Sequence, residues 1–353
     1  MKFAEKALLD AATEILIRLG ENDTNAAVAA KSLVQADMRG VSTHGINLLR
    51  LVAQRVGANM LELPTRVTAI SDDAATAMFD GNNGLGPVAA HHALAHAIEK
   101  SRQFGIGMVT LRNTNNIGAL GCLSTVAAQA GVIAIITTNG NPSVAPFGAA
   151  EPFFGTNPLS IAVPRGNRIP LVLDMSSSIV ARGKIRLASL SGQPIPLGWA
   201  LDENGEPTTD PKRAMKGCLL PLAGPKGSGL AMMIDILSGL LSGSAYGRKL
   251  KSFHELEGTT GVGAAIICVD IGHFIGKETF EKLIIEYTDQ IKGLRKQPGF
   301  DEILLPGEFE TKKEKESAES GIAIPDAVVK GIDEILADLN SPHRLGLSTS
   351  KGE

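Results

Sequence analysis

His44, Asp174 and Lys226 are the side chains of this chain whose surroundings best suit chemistry. His44 closes the stretch Asp37-Met-Arg-Gly-Val-Ser-Thr-His44-Gly45, between a helical segment and the apolar run from Ile46 to Val52. Reducing a carbonyl by hydride leaves an alkoxide, and an imidazole of pKa about 6.5 is the usual proton donor to it. Taken alone, a histidine in such a turn is more often a helix cap. Asp174 ends the apolar run Leu171-Val-Leu-Asp174 and precedes Met175, Ser176, Ser177 and Ser178, which read as the start of a helix. The dipole of that helix would favour the charged carboxylate. Such a group could orient a catalytic imidazole, hydrogen-bond a ribose or nicotinamide amide, or serve as an ordinary N-cap. Gly224-Pro-Lys226-Gly227-Ser-Gly229 sets one cation among glycines ahead of a helix, a setting for a pyrophosphate or a carboxylate.

Two further clusters gather amides and glycines. Arg112-Asn-Thr-Asn-Asn116-Ile-Gly118-Ala-Leu-Gly121 follows a strand and opens a helix, and Thr137 to Gly148 continues through Gly155-Thr156-Asn157-Pro158. Loops this long inside a compact domain are usually functional, although Asn-Pro and Gly-Asn are also standard turn residues. Familiar phosphate-binding patterns are missing. No GxGxxG follows a first strand with an acidic residue about 20 positions later, so the Rossmann reading lacks support. Gly224 to Gly229 is not a P-loop, because its lysine precedes the glycine. Gly81 to Gly86 is explained as a loop between strand and helix. His92 and His96 stand four apart but lack an HExxH glutamate, so a solvated helix face is expected rather than a metal pair.

Helices and strands must place these groups. Helical spacing spans Phe3 to Leu19 and about Thr24 to Arg39, with Asp23 as N-cap, and helical composition spans Pro87 to Ser101, Leu120 to Ala130 and Gly227 to Leu241. The last is apolar nearly all round and reads as buried. Buried strands are expected at Gly107 to Leu111, Val132 to Thr138, Leu159 to Val163, Leu171 to Asp174 and Ala264 to Asp270. Their alternation with helices would by itself suggest a parallel sheet. Glu310 to Glu319 is a charged stretch, a final helix runs from Pro325 to about Leu339, and Asn340 to Glu353 reads as a loose tail. The expected division is a helical unit at 1–75, a cofactor- and substrate-binding α+β domain at 76–310 whose helix 226–242 packs back on that unit, and a C-terminal helix and tail at 311–353.

With 353 residues, 44% hydrophobic and 20% charged, the chain can bury a large core. A net charge of -3 without charge blocks argues for small-molecule partners, not nucleic acid or a membrane surface. Cys122, Cys218 and Cys268 form neither a disulfide framework nor a thiolate metal set. The N-terminus lacks the apolar run of a signal peptide, so a cytoplasmic protein is expected.

Several motifs, in order along nearly the whole chain, resemble the malate/L-lactate dehydrogenase family of non-Rossmann type. They are Arg39 to Gly45, Arg112 to Gly121, Gly155 to Pro158, Asp174 to Ser178, Gly198-Trp-Ala-Leu-Asp202 with Pro207 to Pro211, Leu220 to Leu230 and Pro298 to Glu308. That family includes sulfolactate, ureidoglycolate and diketogulonate dehydrogenases and cyclic imine reductases. The resemblance implies an α+β fold with N- and C-terminal helices beside a mixed, largely antiparallel sheet, and a homodimer that binds NAD or NADP, NAD being the first expectation. By similarity His44 is the proton-transfer residue, and Asp174, Met175, Ser176, Lys226, Gly227, Pro306, Gly307 and Glu308 contact the cofactor, with Asp174 also supporting catalysis.

This chain departs from the family pattern at three places. Leu48 stands where members commonly carry an arginine, with Arg50 two places on; Asn116 stands where many carry a second histidine; Pro225 replaces an aromatic residue. Asn116 cannot titrate. Arg50, Asn116, Thr156 and Asn157 are the substrate-binding candidates, and no metal site is expected. The implied activity is hydride transfer between nicotinamide and a small 2-oxo or 2-hydroxy acid. Reduction of a cyclic imino acid and a catalytically silent dinucleotide-binding protein are the alternatives.

Overall fold

The structure, a computed structural model, describes residues 1–346. β1 (Lys2–Phe3) leads into α1 (Glu5–Arg18), which turns Leu8, Ala11, Ala12, Ile15 and Leu16 inward at helical spacing. α2 (Asp23–Met38) packs against it through Ala26, Ala29, Ala30, Leu33 and Val34, and α3 (Leu49–Gly57) adds Leu49 and Val52. Small alanines on the facing sides let these axes approach closely.

β2 (Thr68–Asp73) and β3 (Thr76–Asp80) form a hairpin, α4 (Gly86–Phe104) crosses to β4 (Ile106–Thr114), and α5 (Leu120–Gln129) precedes β5 (Val132–Thr138). β6 (Leu159–Arg165) and β7 (Arg168–Met175) follow, then α6 (Arg182–Ser191), β8 (Ala200–Leu201), α7 (Pro211–Lys216) and β9 (Cys218–Leu219). α8 (Pro225–Asp235) continues as a π-helical turn, Ile236–Leu240. β10 (Val262–Asp270), α9 (Lys277–Lys292), α10 (Glu308–Ser320), β11 (Ile322–Ala323) and α11 (Asp326–Asp338) complete the described chain.

The main sheet has seven strands in the order β2-β3-β4-β10-β5-β6-β7. Only β3 and β4 pair in parallel, joined by α4; every other neighbouring pair is antiparallel. The sheet is thus the mixed one implied by the resemblance, not the parallel one that strand and helix alternation alone suggests. Central strands are buried on both faces. Leu111, Ile136 and Ile266 meet α4 and α5, while Thr137, on the opposite face from Ile136, bonds Ser238 of the π-helical turn at 2.9 Å.

Several expectations need correction. The N-cap of α2 is Asn22, whose side chain accepts the Asn25 N–H, and not Asp23. β2 already belongs to the large sheet, so the sheet begins before residue 76. The helix expected at 226–242 packs on β4, β5 and β10, because it emerges from the loop beside β7 and its small residues, Ala231, Ser238 and Gly239, face the sheet. It is not buried all round: Met232, Met233, Ile236, Leu240 and Leu241 are exposed. The charged stretch from Glu310 folds as α10, which packs on α2 and β7. The tail begins docked, with the Leu345 and Gly346 N–H groups on Asp333; its remainder, 347–353, lies outside the described residues.

Candidate active site

Two short 3₁₀ turns, Ser42–His44 and Ile46–Leu48, carry the chain from α2 to α3. Asp37, in the last turn of α2, fixes them. Its Oδ2 accepts the Ile46 N–H at 2.8 Å, and a Cβ on Gly45 would collide with the same carboxylate. His44 sits between these anchors, half-buried, with Nδ1 3.1 Å from Thr43 Oγ1. Burial holds its imidazole below the ordinary histidine range. Burial pushes the Asp37 carboxyl up to about 6, against the opposing pull of the Ile46 N–H. Sequence reasoning missed Asp37. The signal for it is a carboxylate at the helix end, eight residues before the glycine that follows His44.

Asp174 lies within β7, and the helix expected directly after it starts only at Arg182. Its helix N-terminus belongs to α5: Gly121 N–H donates to Asp174 Oδ2 at 2.7 Å, and a Cβ on Gly121 would come within 2.8 Å of that oxygen. The dipole does not prevail. Although part of Asp174 stays in solvent, the protein packed around it raises the carboxyl above its ordinary range, with Gly121 and Arg39 opposing. Asp174 Oδ1 makes no hydrogen bond among the described residues.

Three segments converge on the end of β7. Val172 N–H donates to Pro306 O at 3.0 Å, and Gly307, at φ +88°, leaves only 3.0 Å between a would-be Cβ and that of Val172. Glu308 is neutralised by Lys292 and by the Leu305 N–H; despite its burial these hold its carboxyl below the usual range. On the other side Leu222 N–H bonds Ser177 O and Ile179 N–H bonds Leu220 O, which ties the loop carrying Lys226 to the strand end carrying Met175 and Ser176. Ser176 Oγ is 3.0 Å from Ser178 Oγ. Lys226 is exposed at the start of α8 and has no ion-pair partner among the described residues; Gly227 is pressed against Leu222 O, where a side chain has no room.

Arg39 joins the two halves. Only 4% exposed, it donates to Thr125 Oγ1 at 3.3 Å and to Glu314 Oε2 at 3.4 Å. Thr125 Oγ1 in turn donates to Gly121 O at 2.6 Å, and Gly121 holds Asp174. One connected chain of polar groups therefore runs from α10 through the end of α2 to α5 and β7.

The substrate-binding candidates separate. Asn157 is fully buried and its amide is spent, Oδ1 on Gly140 N–H and Nδ2 on Ala231 O; it holds the loop and has nothing left for a ligand. Thr156 is half-buried and its carbonyl accepts both Ser177 N–H and Ser177 Oγ. Arg50 is exposed on α3, two residues beyond buried Leu48, and does not line the cleft that Leu48 walls. Asn116 Nδ2 has no partner among the described residues, while Oδ1 accepts the Gly118 N–H at 2.9 Å. His92 and His96 stack on each other and edge-on to Phe79, with Asp72 3.6 Å from His96; His92 is exposed and His96 half-buried, so they lie on the solvated helix face expected for them. No group of three or more metal-ligating side chains occurs among the described residues.

The sequence from residue 3 to residue 333 matches the family described as malate/L-lactate dehydrogenase. The chain is 36% identical to L-sulfolactate dehydrogenase of Methanocaldococcus jannaschii, covering 92% of this chain and 94% of that protein. The solved structure of the sulfolactate dehydrogenase of that organism has a TM-score of 0.92 over 97% of this chain and 98% of its own. Malate dehydrogenase of Pyrococcus abyssi is 34% identical, covering 95% and 94%. A solved delta1-piperideine-2-carboxylate reductase from Pseudomonas syringae has a TM-score of 0.83 at 26% identity, covering 95% and 99%.

Proposed function

This chain belongs to the malate/L-lactate dehydrogenase family, and on that premise we propose that it moves a hydride between NAD or NADP and a small 2-oxo or 2-hydroxy acid, with His44 transferring the proton. The observation that carries the reading is the shared end of β7, α5 and the 220–227 and 305–308 segments. An acceptor oxygen on Asp174, an unpaired cation on Lys226 and close-packed glycines at 121, 227 and 307 suit a dinucleotide. The bound nicotinamide supplies or accepts the hydride.

In reduction, C2 of the acid gains the hydride as its oxygen takes the proton from the His44 imidazolium; in oxidation, neutral His44 takes the hydroxyl proton. Asp37 and Gly45 fix the turn that aims the imidazole. Asp174, Met175 and Ser176 orient the cofactor, and Lys226, Gly227 and the 306–308 segment hold it. Apolar residues exposed on α8 suit a homodimer, and a cytoplasmic location fits the three unpaired cysteines. No described helix is long and apolar enough to cross a membrane.

The purified protein is expected to consume NADH or NADPH with a 2-oxo acid. A folded protein that binds cofactor but turns over no member of a panel of 2-oxo, 2-hydroxy and cyclic imino acids contradicts the reading. Imine reduction is the second reading, favoured by the likeness to the piperideine carboxylate reductase and by the amide at Asn116. Turnover of a cyclic imino acid in preference to every 2-oxo acid would establish it. A silent dinucleotide binder would show cofactor binding and no rate that depends on His44.

A further inference from the structure

Leu48 and Asn116 wall the same narrow cleft, between helices α1 to α3 and the loop that follows β4. Leu33, Val52, Leu85 and Phe253 help to close it. No lysine, arginine, histidine or acidic side chain lines it. Leu33, Leu48, Val52 and Leu85 are buried, while Phe253 and Asn116 are half-buried. The neighbouring Asn115 is spent on Asn83, Gly84 and Thr260, so Asn116 Nδ2 is the one amide donor of the pair without a protein partner among the described residues. About 20 Å³ is free, room for a methyl-sized group.

The position of this cleft relative to the chemistry gives it a use. Leu48 follows His44 through two consecutive 3₁₀ turns, and Asn116 lies on the loop that leads into α5, whose Gly121 N–H holds Asp174. An acid bound at His44 would extend toward this cleft if its C3 end follows the segment from His44 to Leu48, four residues on, and the loop that carries Asn116. A carboxylate or sulfonate placed there would be buried without a counter-charge, a costly arrangement. A methyl or ethyl group would gain apolar contacts at no such cost.

We propose that this cleft receives the C3 end of the substrate and selects 2-oxo acids with a short uncharged side chain over those carrying a second anion. The proposal rests on the hydride-transfer reading given above. Leu48 excludes the second anion, and Asn116 Nδ2 donates to an oxygen of the substrate at the rim.

The test compares kcat/KM of the full-length protein for pyruvate, 2-oxobutanoate, oxaloacetate and 3-sulfopyruvate, with NADH and with NADPH. The short monoacids are expected to lead by about tenfold or more. Leu48→Arg should move the ratio toward the charged acids, and Leu48→Ala should move the optimum among monoacids toward 2-oxopentanoate. Oxaloacetate or 3-sulfopyruvate equal to or ahead of the short acids in the wild type overturns the proposal, and so does a ratio unchanged in both folded variants. If either variant fails to fold, the wild-type ratio decides. Turnover of no 2-oxo acid, with cofactor binding intact, overturns the hydride-transfer reading and this proposal with it.

Discussion

Burial moves His44 and Asp37 in opposite directions, and both shifts have consequences that can be measured. A depressed imidazole is neutral at neutral pH, ready to accept a proton in oxidation. Reduction needs the imidazolium, so its kcat/KM is expected to rise as pH falls and to level only below the ordinary histidine range. His44→Gln should lower kcat by about 10²- to 10⁴-fold and leave cofactor affinity unchanged, as checked by titration of NADH fluorescence. Asp37 binds its proton more tightly folded than unfolded. Its stabilisation is therefore present below the unfolded carboxyl pKa and is lost as pH rises through about 6. Asp37→Asn keeps an oxygen for the Ile46 N–H and cannot ionise. Its stability relative to wild type should grow between about pH 4 and pH 7.5, by at most about 3 kcal/mol. Urea unfolding at both pH values checks this, and a difference that does not change with pH contradicts it. The turn that ends on His44 was legible in the sequence because polar residues close the helix there. Asp37 was not, because its role comes from a contact with Gly45 and Ile46 that helical periodicity does not encode.

Elements transmit these placements. The polar chain from Glu314 through Arg39, Thr125 and Gly121 to Asp174 spans four of them. Arg39→Met removes its centre and strands Glu314 and Thr125, at an expected cost of about 2 kcal/mol. It should also weaken cofactor binding several-fold; calorimetric titration with NADH would show this, and unchanged affinity in the destabilised variant would contradict the link. Gly121→Ala, which would press a methyl against the Asp174 carboxylate, should likewise raise the cofactor Kd. The best-read elements were those with strong burial periodicity: β5 has the expected bounds, Val132 to Thr138, and β10 extends its expected run by two residues. β2 went unread because all six of its residues are exposed. α10 was read only as a charged stretch because no residue of it is buried, so no apolar stripe marks it as a helix. Asp174 shows a further limit. Its helix N-terminus comes from α5, 53 residues earlier in the chain, and local sequence suggested the wrong helix.

At the scale of the whole molecule, Met232, Met233, Ile236, Leu240 and Leu241 leave an apolar strip on α8 and its π-helical turn, beginning a few residues beyond Lys226. Contiguous exposed apolar surface of this kind marks an interface, and a second copy of the chain is the proposed occupant. Sedimentation should give twice the 36.9 kDa of one chain, and Ile236→Glu with Leu240→Glu should give the single-chain mass. A wild-type monomer contradicts the assignment. The antiparallel sheet and the family membership became legible only from motifs taken together along the chain; each alone has an ordinary turn explanation. The central claim is that the assembled molecule moves a hydride, and the most direct measurement follows that hydride. Cofactor deuterated at the transferable C4 position is incubated with the protein and a 2-oxo acid, and the hydroxy acid product is analysed by mass spectrometry and NMR. The expected result is deuterium at C2 of the product, lost when His44→Gln replaces the wild type. A bound, undepleted cofactor and a 2-oxo acid without deuterated product would contradict the claim.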